Sequence, residues 1–114
     1  VILLEDVLDY LGDAKRPWLE LDESGEDWYP EIERAFATET AAQAGRCRVL
    51  DESGDYLVLP DLDEALLRRV ACNLARRVLP LAYAMGEGES VARFPKHDPE
   101  IARLEAPHRK IVIG

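Results

Sequence analysis

Apolar residues recur at helical spacing in four stretches of this chain, and each stretch runs into a glycine or proline. The strongest spans 61–80. At 100° per residue, Leu66, Leu67, Val70, Ala71, Leu74 and Val78 share one sector, as in an amphipathic helix. Arg68, Arg69, Arg76 and Arg77 are assigned to the opposite face, one pair about two turns beyond the other. Asp61, Asp63 and Glu64 open the helix, where its dipole favours negative charge, and Pro80 stops or kinks it. Such a helix is the frame of a small helical domain, and its basic face asks for a partner.

Leu4, Val7, Leu8 and Leu11 predict a short first helix over 4–11, stopped by Gly12. The connection 13–27 is polar and turn-rich, with Pro17 and Gly25, and Trp18, Leu19 and Leu21 are expected to anchor it on the core. A second helix starts near Tyr29, with Pro30 in its first turn, Glu31 and Glu33 early and Gly45 at its end. Its inward positions are Ile32, Ala35, Phe36 and Ala42, and Ala37, Ala41, Ala42 and Ala44 predict close approach to another helix. Segments 46–50 and 56–59 flank Asp51-Glu52-Ser53-Gly54-Asp55, either as a short hairpin or as an irregular excursion.

After the long helix, Gly86, Gly88 and Ser90 predict a flexible passage. Asp98 caps a last short helix, with Pro99 and Glu100 in its first turn, Ile101 and Leu104 on its apolar side and Pro107 at its end. The closing run, Ile111-Val112-Ile113-Gly114, is β-prone. No internal repeat or low-complexity segment is read from the pattern. The expected fold is all-α: a small bundle of about four helices around the long one. It is a single domain over 1–114, with 106–114 as an extended C-terminal tail.

Charge adds a division to this picture. The net charge is −9, but residues 1–64 carry 18 acids and 5 bases whereas residues 65–114 carry 5 acids and 9 bases. Between Pro17 and Glu33 there are seven acids and no Lys or Arg. A solvated acidic surface is the plain reading. The sharper one is a molecule with an acidic and a basic side, able to associate head to tail and to close into a ring. The acidic balance argues against sequence-specific duplex binding, which needs a basic footprint. The apolar runs are too short to span a bilayer, no secretory signal pattern opens the sequence, and two distant cysteines fit free thiols in a reducing compartment.

Candidate chemistry is sparse. Ser24, Ser53 and Ser90 lack a nucleophile-elbow pattern, and His97 and His108 read as surface or capping residues. Cys47, Cys72, His97 and His108 lack the short spacing that gives a zinc site a rigid half. Asp61 with Asp63, or Glu87 with Glu89, make no EF-hand series, and Gly86-Glu87-Gly88-Glu89 repels the anion a phosphate loop would hold. No cofactor, metal or enzymatic activity is expected. Trp18 and Trp28 are core anchors or, second, interface residues. The four arginines are either a solvated helix face or a contact surface for carboxylates of an adjoining subunit.

Three stretches carry a resemblance: Leu4-Glu5-Asp6-Val7-Leu8-Asp9-Tyr10-Leu11-Gly12, the long helix from Asp61 to Leu81, and the closing segment from Asp98 to Gly114. With the Ala-rich second helix, the chain resembles bacteriophage head-to-tail connector proteins, the head-completion adaptors of tailed phages infecting actinobacteria. The resemblance implies a virion structural protein, without enzymatic activity, located in the neck between capsid and tail and assembled in the host cytoplasm. It implies a homo-oligomeric ring, usually dodecameric, that docks on the portal protein after DNA packaging and extends the channel. Downstream connector or tail proteins are further partners, genomic DNA passes without sequence-specific binding, and no membrane is involved. Partner contacts are expected at Arg68, Arg69, Arg76 and Arg77 and at the tail residues Ile111, Val112 and Ile113. Those tail residues either add as a strand to a neighbour or remain a free end. The competing readings are a small cytoplasmic helical adaptor acting as a dimer and an acid-rich metal enzyme.

Overall fold

The computed structural model describes residues 1–77 and 94–111, and among these the chain is mostly helical. Its elements are α1 (Leu4–Leu11), β1 (Glu20–Leu21), β2 (Asp27–Trp28), α2 (Pro30–Arg46), α3 (Pro60–Ala75) and α4 (Pro99–Glu105). Short 3-10 segments cover Gly12–Trp18 and Ala106–His108. The expected last turn of the long helix through Val78 and Pro80, the passage 86–90 and the tail residues Val112 and Ile113 lie outside the described residues.

Local chemistry sets the helix ends. The Leu3 amide donates to the Asp6 carboxylate at 2.8 Å at the start of α1. Gly12, at φ +56°, closes that helix by donating to the Leu8 carbonyl. Prolines occupy the first turns of α2, α3 and α4, where a missing N–H costs nothing. Asp98 caps α4 by accepting from the Glu100 amide at 2.9 Å. Gly45 does not end α2, which continues through Arg46.

Strand pairing appears where the sequence predicted a connection. β1 and β2 pair antiparallel, Glu20 with Trp28 and Leu21 with Asp27. The Asp22 carboxylate accepts from the Ser24 amide, the Ser24 hydroxyl and the Glu26 amide at 2.7–2.9 Å, and Gly25 sits at φ +85°. The later turn has the same build. Asp51 accepts from the Ser53 and Asp55 amides at 2.8 and 3.0 Å, Gly54 sits at φ +86°, and the flanks pair only at Leu50 and Tyr56. Leu-Asp-Glu-Ser-Gly occurs at 21–25 and again at 50–54, each time ahead of a helix that opens on proline. This is an internal repeat of one turn, contrary to the expectation of none.

The apolar core joins Val7 and Leu11 of α1, Trp18, Ile32 and Ala35 of α2, and Leu66, Val70, Ala71 and Leu74 of α3. Tyr10 and Phe94 stack at its margin with ring centroids 6.2 Å apart. Leu19 and Leu21 do not anchor on this core; both are exposed, Leu21 at 65 %. Ala37, Ala41 and Ala42 are also exposed, so these three do not mediate close helix packing, and Ala44 is half-buried. The buried stripe of α2 is Ile32, Ala35, Glu39 and Gln43, which begins apolar and ends polar.

Candidate functional site

Helices α2 and α3 run antiparallel: Glu31 reaches Arg77, Glu39 reaches Arg69 and Asn73, and Gln43 reaches the Leu62 carbonyl. α4 packs on α3 and meets α2 through Gln43. At this junction Glu105 is 1 % exposed and meets Arg69 in a two-point pair, Nε to Oε2 at 2.6 Å and Nη2 to Oε1 at 2.7 Å. The Gln43 amide donates to both Glu105, at 3.1 Å, and the Leu62 carbonyl, at 2.9 Å. Glu39 accepts from Arg69 at 3.4 Å and from Asn73 at 2.8 Å, and Arg77 donates to the Asn73 side chain at 2.7 Å. One unbroken polar seam thus runs from Gln43 to Glu31.

Burial pushes the Glu105 carboxyl up, but the hydrogen bonds from Arg69 and Gln43 and the Arg69 charge outweigh it, and the carboxyl is held below its usual range. It is therefore an anion at neutral pH, as a two-point pair with arginine requires. Burial raises both thiols, with Glu105 adding to the rise at Cys47 and Asp98 at Cys72, so neither is a ready thiolate.

The arginines are not one open basic face. Arg77, just beyond the end of α3, reaches Asn73 and Glu31, whereas Arg76 is exposed. Arg68 pairs with Asp98 at 2.9 Å and Glu64 at 3.0 Å, Arg69 is in the seam, and Arg77 pairs with Glu31. Arg76 is exposed and donates to the Lys96 carbonyl at 3.1 Å. The helical wheel misses this because it ranks Glu39, Gln43 and Glu105 as surface residues, whereas they are the partners that draw arginine inward.

A cleft of about 330 Å³ opens above the seam. Its floor holds Glu39, Asp98 and Glu105, each already engaged by arginine, and its rim holds Arg46, Arg76, Lys96, His97 and Arg109. Among the described residues the side chains of Arg46, Lys96 and Arg109 make no ion pair. The seam neutralises the floor and leaves the rim positive, so this cleft suits an anionic group. His97 lies on its rim. His108 faces Asp61 at 3.7 Å, and among the described residues no group of three or more His, Cys, Asp or Glu side chains converges on a point.

The opposite charge is on the β1–β2 hairpin. All its residues are exposed, and Asp22 is occupied within the turn while Glu23 and Glu26 make no ion pair among the described residues. Trp28, expected first as a core anchor, is 42 % exposed there, whereas Trp18 is buried. The tail begins with the single 3-10 turn at Ala106–His108 rather than in extended form. It then pairs with the segment that leaves α2, the Arg48 backbone amide donating to the His108 carbonyl at 2.8 Å and the Lys110 backbone amide to the Arg46 carbonyl at 2.9 Å. Ile111 follows, 86 % exposed. Among the described residues no helix is long and apolar enough to cross a membrane. No family model, characterised protein or solved structure matches this chain.

Proposed function

We propose that this chain is a virion structural protein that assembles as a ring, docks on the portal after DNA packaging, extends the channel and joins head to tail. The observation that carries the reading is the separation of uncommitted charge: a protruding acidic hairpin and a cationic cleft lie on different elements of one small helical subunit. Distinct complementary surfaces favour heterologous contacts, and these close into rings when the rotation allows. The helices would form a bundle rigid enough to hold both surfaces in register, with the ion-paired seam fixing α4 against α2 and α3. Carboxylates of the acidic half that face the channel would repel DNA phosphates and let the duplex pass. The exposed Ile111 and the residues after it supply a short apolar segment for the portal or the next neck protein.

The cleft's rim fits recognition of an anion. The raised Cys72 thiol and the arginine-bound carboxylates that line it are poorly suited to nucleophilic or proton-transfer chemistry. Negative-stain electron microscopy of the purified chain, alone and mixed with portal oligomers from the same genome, tests the reading. Rings of uniform diameter capping the portal are expected. A monomer or dimer that ignores the portal sinks the proposal and leaves the small cytoplasmic adaptor in its place.

A further inference from the structure

Two groups of unpaired charge of opposite sign stand on separate elements of this fold, the hairpin tip and the cleft rim. On the hairpin, Asp22 builds the turn through three hydrogen bonds, which fixes Glu23 and Glu26 at the tip with their carboxylates unpaired among the described residues. In the cleft, Arg68, Arg69 and Asn73 satisfy the floor carboxylates, which leaves Arg46, Lys96 and Arg109 without an ion pair among the described residues, beside Arg76, which bonds only to the Lys96 carbonyl. We propose that Glu23 and Glu26 of one copy enter the Arg46, Lys96 and Arg109 cleft of a second copy. This contact rests on the ring reading and names its subunit-to-subunit joint.

Size and reach support the pairing. A cleft of about 330 Å³ takes one or two carboxylate side chains, whereas a nucleic-acid backbone needs an extended basic track. The hairpin leads into the first turn of α2 while Arg46 ends that helix, about 24 Å away at 1.5 Å per residue. A copy therefore offers its tip to a neighbour rather than to its own Arg46. The two surfaces differ, so the joint is heterologous, and each subunit donates one tip and receives another. The second Asp-Glu-Ser-Gly turn, at 51–54, is built alike, but its flanks join at a single bridge and not as a two-strand ladder. It serves as an internal control.

Sedimentation velocity on the full chain, with far-UV circular dichroism to verify folding, tests the contact. Arg46→Glu with Lys96→Glu, and separately Glu23→Lys with Glu26→Lys, should each weaken self-association at least about tenfold through like-charge contact. Mixing the two reversed proteins in equal amounts should restore assembly, because both kinds of joint are complementary again. Glu52→Lys with Asp55→Lys, and Arg16→Glu with Arg48→Glu, carry the same charge changes elsewhere and should assemble as wild type. Wild-type-like assembly of the cleft and hairpin variants overturns the contact, as does equal loss in the control variants or failure of the mixture to recover. A wild-type chain that stays monomeric also overturns it, and if that monomer still caps the portal, the ring reading survives without this joint. Capture of a duplex oligonucleotide by a monomeric wild type, lost in the cleft variant, would overturn it in favour of phosphate recognition.

Discussion

On one flank of α3, Val70 and Leu74 sit in the apolar cluster with Val7, Leu11 and Ile32; on the other, Arg69 and Asn73 face Glu39 and Glu105. α2 contributes to both, because its buried stripe changes from Ile32 and Ala35 to Glu39 and Gln43 along its length. The apolar flank is held by burial, which has no preferred direction and tolerates partial repacking. The polar flank is held by directional groups that are strong together and costly when one is left alone. The first flank stabilises the fold in a graded way. The second fixes where α4 sits, and with it the positions of Lys96, His97 and Asp98 around the cleft.

Glu105→Ala should separate the two most sharply. It strands the Arg69 charge, and a loss of about 3–5 kcal/mol in urea unfolding is expected. Replacing both partners, Arg69→Met with Glu105→Leu, should recover most of that loss, because no buried charge is then left over. If the double replacement is as unstable as Glu105→Ala, the seam is not acting through stranded charge. Leu74→Ala, on the apolar flank at 1 % exposure, should cost about 2–4 kcal/mol, with no single partner change able to rescue it.

Acid titration tests the same difference through the charge that the polar flank alone carries. The folded Glu105 carboxyl is held below its ordinary 4.5, so its contribution is complete above that value and is lost as pH falls through the lower folded one. The wild-type chain should therefore lose stability on acidification below about 4.5 more steeply than Glu105→Gln, and Leu74→Ala should keep the wild-type slope. Parallel acid limbs for wild type and Glu105→Gln would remove Glu105 from the account.

The same division explains what the sequence reveals. The apolar flank announces itself by spacing: α1 matches its expected bounds, α2 and α4 nearly so, and Leu66, Val70 and Leu74 are core residues as the wheel requires. The polar flank is silent, since Glu39, Gln43 and Glu105 carry surface-type side chains and acquire their inward role only once Arg69 is opposite. Ala42 was the apolar choice near that position, and it is exposed. The arginines stand out in the sequence as a basic face, but pairing across 30 or more residues of sequence converts most of them from surface into scaffold. Only Arg76 of the four reaches the cationic rim, which adds Arg46, Lys96 and Arg109 from three separate segments that no local pattern joins. The hairpin did have a signal, the twice-written Leu-Asp-Glu-Ser-Gly, in which an aspartate that caps its own turn precedes a glycine able to take positive φ.

The smallest expected effect lies outside both flanks and so calibrates them. Gly45 is helical, exposed and free of any positive-φ requirement, and a methyl group added there meets nothing within 4 Å. Had it been the helix stop that the sequence suggested, a side chain would strain it. Because α2 runs on through Arg46, alanine instead narrows the unfolded ensemble and favours the helix. Gly45→Ala should therefore raise stability by about 0.5 kcal/mol, damped by its place in the last turn. The gain should appear equally in wild type, Glu105→Ala and Leu74→Ala, since the site touches neither flank. A gain that vanishes only in Glu105→Ala would mean that the last turn of α2 is itself held in place by the seam, through Gln43, and that the polar flank orders more of the chain than α4.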